Sequence, residues 1–431
     1  MSDVYFYVGG YTSDDKNFWM IKDDGSGLTV VNSLKVPGTI VRCIAVDVSD
    51  NIYIGGSAGK VYKYNSNFEL DTSWATNGVY TVGSVNVRGL SVDLDRKLAV
   101  VYDNTGGQNT TLLDSNGAEI WSVEVRGSTR HGYSVRFLDE TYLLVGIKSL
   151  INGDILASRI KISDGSEVNR YTISPQDGFV GGLSYDSENG KVYFARTRNE
   201  YSYTGSVFKY PENGIFEPNY DWYHWDLGGM RDILYHTNGY VYTGGQTSGG
   251  KPSLLKLDDS DGSTVATYST GQIIYCVKED DDGNIVVGGN QYLDFEGENY
   301  DIAVLDTDLV FLRGIQLNSD IYAVYAKDIL GTPPSIVDQS GDVQVPLGQQ
   351  TTLIVTAVGS PVPTYQWYKN DQIIPGETSS FLSFYVAETA TYRCRVSNDL
   401  ETVWSSPIVV TATANFYNYS LFNLQLDASR N

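Results

Sequence analysis

One short pattern recurs along the chain and constrains its fold more than any other feature. VRCIAVDVSDNIYIGG begins at Val41, VRGLSVDLDRKLAVVY at Val87 and GYSVRFLDETYLLVG at Gly132. FVGGLSYDSENGKVYFA follows from Phe179, MRDILYHTNGYVYTGG from Met230 and IIYCVKEDDDGNIVVGG from Ile273. A half copy, DIYAVYAKDILG, starts at Asp320, and successive copies lie 43–51 residues apart. Each copy reads as an apolar strand running into an Asp-rich turn, such as Asp47 to Asn51 or Asp280 to Asn284. A second strand then closes, in several copies, on a glycine pair: Gly55–Gly56, Gly244–Gly245 and Gly288–Gly289. A third strand and a more polar fourth strand complete the unit, with Asp-Gly and Asn-Gly turns suited to tight hairpins. The 33 tyrosines and 44 glycines fit the same picture of strands and turns. No amphipathic helix of three turns is legible.

A period in the forties with several strands per unit predicts a β-propeller. Six full units run from about Val41 to Ser319. The N-terminal VYFYVGG, NFWMIKDD and GLTVVNSLKV read as second, third and fourth strands without a first. DIYAVYAKDI reads as a first strand with nothing after it. Together they predict a blade one built from both chain ends, which gives seven blades and leaves no open sheet edge at the seam. The repeat shape resembles propellers of the WD, NHL and quinoprotein-like type over residues 1–331, though the Trp-Asp dipeptide at fixed positions is missing.

Gly331-Thr-Pro-Pro334 interrupts the pattern and reads as a stiff linker, residues 332–335. PLGQQTTLIVTAVGSPVPTYQWYKNDQIIPGE and AETATYRCRVSND follow. This segment, 336–413, resembles an I-set-like immunoglobulin domain. Trp367 matches the strand C tryptophan, and Tyr392, two residues before Cys394, matches a tyrosine corner. Val355 stands where the strand B cysteine belongs, so the resemblance implies a core without the inter-sheet disulfide. Such disulfide-free versions resemble the Ig-like domains of tailed-phage structural proteins. Residues 414–431 are aromatic and apolar and fall outside the Ig pattern. They read as an extra strand or as an arm toward another subunit. The fold class expected is all-β: a seven-bladed propeller followed by an Ig-like sandwich.

Charge narrows the partners. Thirty Lys and Arg against 52 Asp and Glu leave a formal net charge of −22. A chain this acidic repels phosphate backbones and anionic membranes, so neither nucleic acid nor a membrane is an expected partner. The start, MSDVYFYVGG, has neither a basic nor an apolar signal region, and no run is long enough to span a bilayer. Cys43, Cys276 and Cys394 are too far apart in sequence for a CxxC site. No GxSxG, HExxH or P-loop is present. No metal, no cofactor and no catalytic residue are expected.

Three groups of residues stand out. First strands of propeller blades line the central channel, and their entry positions read Arg42, Arg88, Arg130–His131, Arg231, Tyr275 and Tyr322. They would form a basic, aromatic-edged cup for an anionic ligand. The competing reading is that neighbouring carboxylates neutralise them, as Asp232 beside Arg231 suggests. Blade five carries an aromatic set, Tyr201, Tyr203, Trp222 and Trp225, suited either to stacking on a sugar or partner or to packing between blades. Asp258, Asp259 and Asp261, and Glu279 to Asp282, lack the distal glutamate of a calcium loop and read as turns. The Ig core is expected at Val355, Trp367, Tyr392 and Cys394.

These features lead to a non-enzymatic virion protein of a tailed bacteriophage, made in the host cytoplasm. It would decorate the capsid or serve in the tail and host attachment. The propeller would recognise other virion proteins or a host-surface glycan or receptor; the Ig-like domain and residues 415–431 would anchor it or join copies of it. Two other classes compete: a propeller glycosidase or lyase with an Ig-like carbohydrate-binding appendage, and a bacterial adhesin or scaffold.

Overall fold

The computed structural model describes residues 4–11, 16–105, 107–125, 131–149, 155–172, 178–187, 189–197, 205–211, 222–227, 229–236, 238–246, 252–280, 282–325, 332–360, 363–397 and 402–414. They divide into two compact units, Met1–Asp328 and Ile329–Asn431. Apart from one 3-10 turn at Ser57–Gly59, every regular element among them is a strand. No helix there is long and apolar enough to cross a membrane.

The first unit is a ring of seven four-stranded blades. Blade one takes Asp320–Tyr325 as its first strand and Val4–Tyr11, Phe18–Asp23 and Leu28–Leu34 as the other three. Both chain ends therefore share a sheet, as the half copy predicts. Blade two is Val41–Val46, Ile52–Gly56, Lys60–Tyr64 and Val79–Thr81; blade three is Val87–Val92, Leu98–Thr105, Gln108–Leu113 and Glu119–Val123. Blade four is His131–Phe137, Tyr142–Ser149, Ile155–Lys161 and Glu167–Thr172; blade five is Gly178–Asp186, Lys191–Thr197, Gly205–Pro211 and Trp222–Leu227. Blade six is Met230–His236, Tyr240–Gly245, Leu254–Asp258 and Thr264–Tyr268; blade seven is Ile274–Glu279, Ile285–Phe295, Glu298–Leu305 and Phe311–Ile315.

The seven first strands pack on one another in a closed circle around the axis. Second strands are covered on both faces by neighbouring blades. This is why they read as unbroken apolar runs rather than alternating ones, with Ile52–Ile54, Leu98–Val101 and Ile285–Val287 all buried. Fourth strands lie at the rim, and Leu28–Leu34 and Thr264–Tyr268 are mostly exposed or half-buried.

Crowding near the axis explains the glycine pairs. A Cβ on Gly9 would lie 2.1 Å from Val41 Cγ1 of the next blade, and one on Gly244 would lie 2.4 Å from Ile274 Cγ2. On the second glycine of a pair, a Cβ would strike a backbone oxygen: that of Ile40 at 1.9 Å for Gly56, and that of Ile273 at 2.2 Å for Gly289. Blade four keeps only the first glycine, Gly146, blades three and five lack both, and the register of those two shows the compensation. The cross-strand partners at this level are Ala323 and Gly9, Cys43 and Gly55, Gly89 and Val101, and Ser134 and Gly146. Gly182 and Ala195, Asp232 and Gly244, and Cys276 and Gly288 complete the set. Every blade has one glycine in the pair. Where the second strand carries a side chain, the first strand gives it up.

Ion pairs clasp neighbouring blades at the rim. Lys209 reaches Asp259 at 2.7 Å and Lys256 reaches Asp308 at 2.8 Å, each from a third strand to a turn of the next blade. Arg313 of blade seven holds Asp23 of blade one with Nε at 2.6 and 2.7 Å, and Asp23 is fully buried.

The second unit is a two-layer sandwich. Thr332–Gln339, Gln350–Ser360 and Phe381–Tyr385 form one sheet. Val343–Pro346, Ile408–Thr413, Ala390–Ser397, Thr364–Lys369 and Gln372–Ile373 form the other, with Thr402–Trp404 paired to Ala390–Ser397. Thr332–Pro334, read as linker, opens the first strand, since Thr332 pairs with Ser360. Two prolines suit an edge strand, where missing N–H donors cost nothing. Val355, Trp367, Tyr392 and Cys394 meet in one core, and Trp367 sits directly across from Cys394. Cys394 is a free thiol, as are Cys43 and Cys276. Burial pushes Cys394 up to about 11 and the other two to about 12, so all three stay protonated at neutral pH.

Candidate functional site

The first strands share a second feature. In every blade one extra residue interrupts their pairing at the same level. Arg42 stands between Val41 and Cys43, whose partners Gly56 and Gly55 are adjacent. Arg88, Tyr133, Gly181, Arg231, Tyr275 and Tyr322 occupy the same place in the other six blades. A β-bulge of this kind re-aims a side chain and sharpens the local twist. Repeated seven times around one axis, it makes a belt near one end of the channel. All seven residues are half-buried, while the residue before each in six of the blades, Val41, Val87, Val180, Met230, Ile274 and Ile321, is fully buried.

Belt residues touch across blades. The Arg42 guanidinium lies 5.4 Å from the Tyr322 ring, and Tyr322 lies 4.9 Å from Tyr275. Arg88 lies 5.1 Å from Tyr133, and Tyr133 lies 4.4 Å from Phe179. Arg231 lies 5.2 Å from Phe179. Phe179 is two residues before Gly181, which adds no side chain of its own. A Cβ on Gly181 would meet the Arg231 carbonyl oxygen at 2.4 Å, so the bulge of blade five must be glycine.

The three arginines differ in their partners. Arg88 donates through Nε to Asp103 Oδ1 at 2.9 Å and through its terminal nitrogen to Oδ2 at 3.1 Å. Its charge is met, as the neutralising reading expects. Arg231 is not met by its neighbour. Asp232 Oδ2 turns instead to Lys278 Nζ at 2.8 Å and accepts the Val277 N–H. Among the described residues neither Arg231 nor Arg42 has a carboxylate or hydrogen-bond partner, and the Nε of each is buried without one. Burial, chiefly, pushes the Tyr275 phenol up to about 12; the neighbouring Tyr322 adds to this, and Arg231 and Arg42 oppose it. Tyr322 is raised too, by burial first and then by Asp320. Both phenols are therefore donors at neutral pH.

Of the sequence-derived positions, Arg42, Arg88, Arg231, Tyr275 and Tyr322 fall on the belt. Arg130 lies outside the described residues. His131 opens the first strand of blade four opposite Lys148, so it precedes the belt. The belt residue there is Tyr133, which was readable as the second residue of the copy starting at Gly132. Trp222 and Trp225 lie on the outermost strand of blade five, opposite Lys209 and Ser206; Tyr201 and Tyr203 lie outside the described residues. The acidic turns cap themselves. Asp258 Oδ1 accepts the Ser260 N–H, Asp261 Oδ1 that of Ser263, and Asp280 Oδ1 those of Asp282 and Asn284. Among the described residues no group of three His, Cys, Asp or Glu is placed to hold a metal.

Comparison with known proteins bears on the fold. Residues 333–398 match the model of the immunoglobulin domain family. No curated protein sequence matches the chain. Among solved structures it is similar to the Dos1 propeller, at 12% identity over 74% of this chain and 83% of that one, with a TM-score of 0.50. It also resembles the WD40 β-propeller domain of Doa1, at 14% identity over 70% of this chain and 87% of that one, with a TM-score of 0.44. With blade count, register and Ig core in hand, the chain is an all-β protein, a seven-bladed propeller followed by an immunoglobulin-like sandwich.

Proposed function

We propose that this protein is a non-enzymatic recognition and assembly component of a tailed-phage particle. A propeller joined to an Ig-like domain supports a protein-interaction or structural role. The observation that carries the recognition part is the belt: seven equivalent positions filled by arginine, tyrosine and glycine, which donate hydrogen bonds and offer aromatic faces. Such a set suits non-covalent binding better than proton transfer, since the Tyr275 phenol is held near 12.

The virion part rests on the Ig-like core. Val355 and Cys394 are both completely buried and close the core around Trp367 without a disulfide, a construction suited to a reducing cytoplasm. On this reading the propeller faces a receptor, a glycan or another virion protein, and the Ig-like domain is the spacer. The role of residues 415–431 as an arm belongs to the same proposal; they lie outside the described residues. The test is mass spectrometry of purified particles, together with the genes flanking this one. The chain in stoichiometric amounts beside capsid or tail proteins supports the proposal. Its absence from particles, with neighbours for polysaccharide uptake or secretion, overturns it and favours the carbohydrate-acting alternative.

A further inference from the structure

We propose that Arg231, Tyr275, Tyr322 and Arg42, the belt residues of blades six, seven, one and two, form a binding arc for a carboxylate group. This rests on the recognition part of the proposed function and is independent of the virion part.

The arc is singled out from the rest of the belt by its unmet charge. On a chain of net charge −22, half-buried arginines would be expected to find carboxylates. Arg88 does, in Asp103. Arg42 and Arg231 do not, among the described residues, although Asp232 is adjacent in sequence to Arg231. Each lies over an aromatic ring instead: Arg42 over Tyr322 at 5.4 Å, Arg231 over Phe179 at 5.2 Å. A guanidinium placed over a ring keeps its terminal N–H groups for a planar, bidentate acceptor. Between the two cations stand Tyr275 and Tyr322, in ring contact at 4.9 Å. Both guanidiniums act on Tyr275 electrostatically, so all four side chains share one environment. The carboxylate that bears on both phenols is Asp320; it takes a hydrogen bond from the Tyr322 hydroxyl, and its Oδ1 accepts the Gln291 N–H at 3.1 Å.

Two cations without a carboxylate partner among the described residues, flanking the Tyr275 hydroxyl, make an acceptor-seeking site. The acidic bulk of the chain repels polyanions such as nucleic acid at long range. That leaves an isolated carboxylate, carried by a small free acid or by an acidic side chain of a partner protein.

The test is calorimetric titration of the full chain with citrate and, separately, with a hexaglutamate peptide, using a neutral glycine-serine peptide as control. At least one carboxylate probe is expected to bind, more weakly as salt rises. Arg42→Gln with Arg231→Gln should weaken it by about tenfold or more, the scale of one lost charge-assisted contact. Arg88→Gln should cost clearly less. Preference for the peptide assigns the carboxylate to a partner protein, and preference for citrate assigns it to a free acid. Binding of neither probe overturns the proposal, as does equal affinity in the double variant or an equal loss with Arg88→Gln. Thermal unfolding gives the second readout. Removing two uncompensated cations should hold or raise the midpoint; a marked fall would show that they are structural ion-pair members and would also overturn it. Absence of the protein from particles leaves this result untouched, so the two proposals fail separately.

Discussion

Trp367 and Tyr392 belong to one core but hold it by different means. Trp367 is fully buried and its Nε1–H donates to the Ser379 carbonyl oxygen at 2.9 Å. Tyr392 stacks on Phe384 with ring centroids 4.6 Å apart. A tyrosine corner implies a hydroxyl bonded to backbone, yet among the described residues the Tyr392 hydroxyl has no hydrogen bond. Its ring therefore does the holding. Tyr392→Phe should change the stability of the Ig-like unit by less than ~0.5 kcal/mol, whereas Tyr392→Ala or Trp367→Ala should cost about 3–5 kcal/mol. Urea unfolding of the separate unit 329–431 checks this; a loss above 1 kcal/mol for Tyr392→Phe, roughly a full hydrogen bond, would restore the corner. His236 shows a similar divergence of residue and role. Where Asp47 and Asp280 cap the turn after their first strands, His236 does so with Nδ1, accepting the Asn238 N–H at 3.0 Å.

Within a blade, the glycine rule is a rule about pairs. Gly146 faces Ser134, and a Cβ on Gly146 would lie 2.2 Å from Ser134 Oγ, with Val180 next at 3.1 Å. Gly146→Ala alone should destabilise the propeller by about 1–3 kcal/mol, the usual cost of overpacking. Adding Ser134→Gly recreates the arrangement of blade five, where Gly182 faces Ala195. The double variant should recover more than half of the loss, although the Ser134 hydroxyl bond to the Val180 carbonyl is forfeited. Chemical denaturation of the wild type, the two single variants and the double variant completes the cycle. Additive losses would mean that the space is set by the neighbouring blade and not by the pair.

Across the whole ring, closure joins blade seven to blade one through a shared core, where Val4, Phe6, Ile21 and Leu28 pack with Val286, Ile302 and Val304. Blade one is assembled from segments at opposite ends of the propeller sequence, so its loop-closure cost is large. To that core Arg313 and Asp23 add an ion pair between blade seven and blade one, with the carboxylate fully buried and the guanidinium nearly so. Asp23 also accepts the Gly25 N–H at 2.9 Å. Removing one partner strands the other charge, so Asp23→Ala should lower propeller stability by roughly 3–5 kcal/mol. Asp23→Leu with Arg313→Met should lose much less. Limited proteolysis near the N-terminus and the unfolding midpoint together report it. A double variant as unstable as the single one would show that the pair gives more than charge compensation.

The sequence by itself determined the all-β class, the seven blades and the joining of both chain ends in blade one. It also determined the Ig-like core around Trp367 with Val355 in place of a cysteine. These are legible because strand periodicity, turn chemistry and repeat length are local properties that recur. Five belt positions were legible too; only the tertiary structure decided that Tyr133 and Gly181 complete the belt in place of His131, and which of its charges are met. A one-residue bulge shifts which side chain points to the axis, and relative to it the sequence copies begin one residue early in blades five, seven and one. Whether Arg231 pairs with Asp232 is likewise invisible in sequence. The carboxylate reaches Lys278 of the next blade at 2.8 Å, because the bulge re-aims Arg231 and the neighbouring blade supplies the cation.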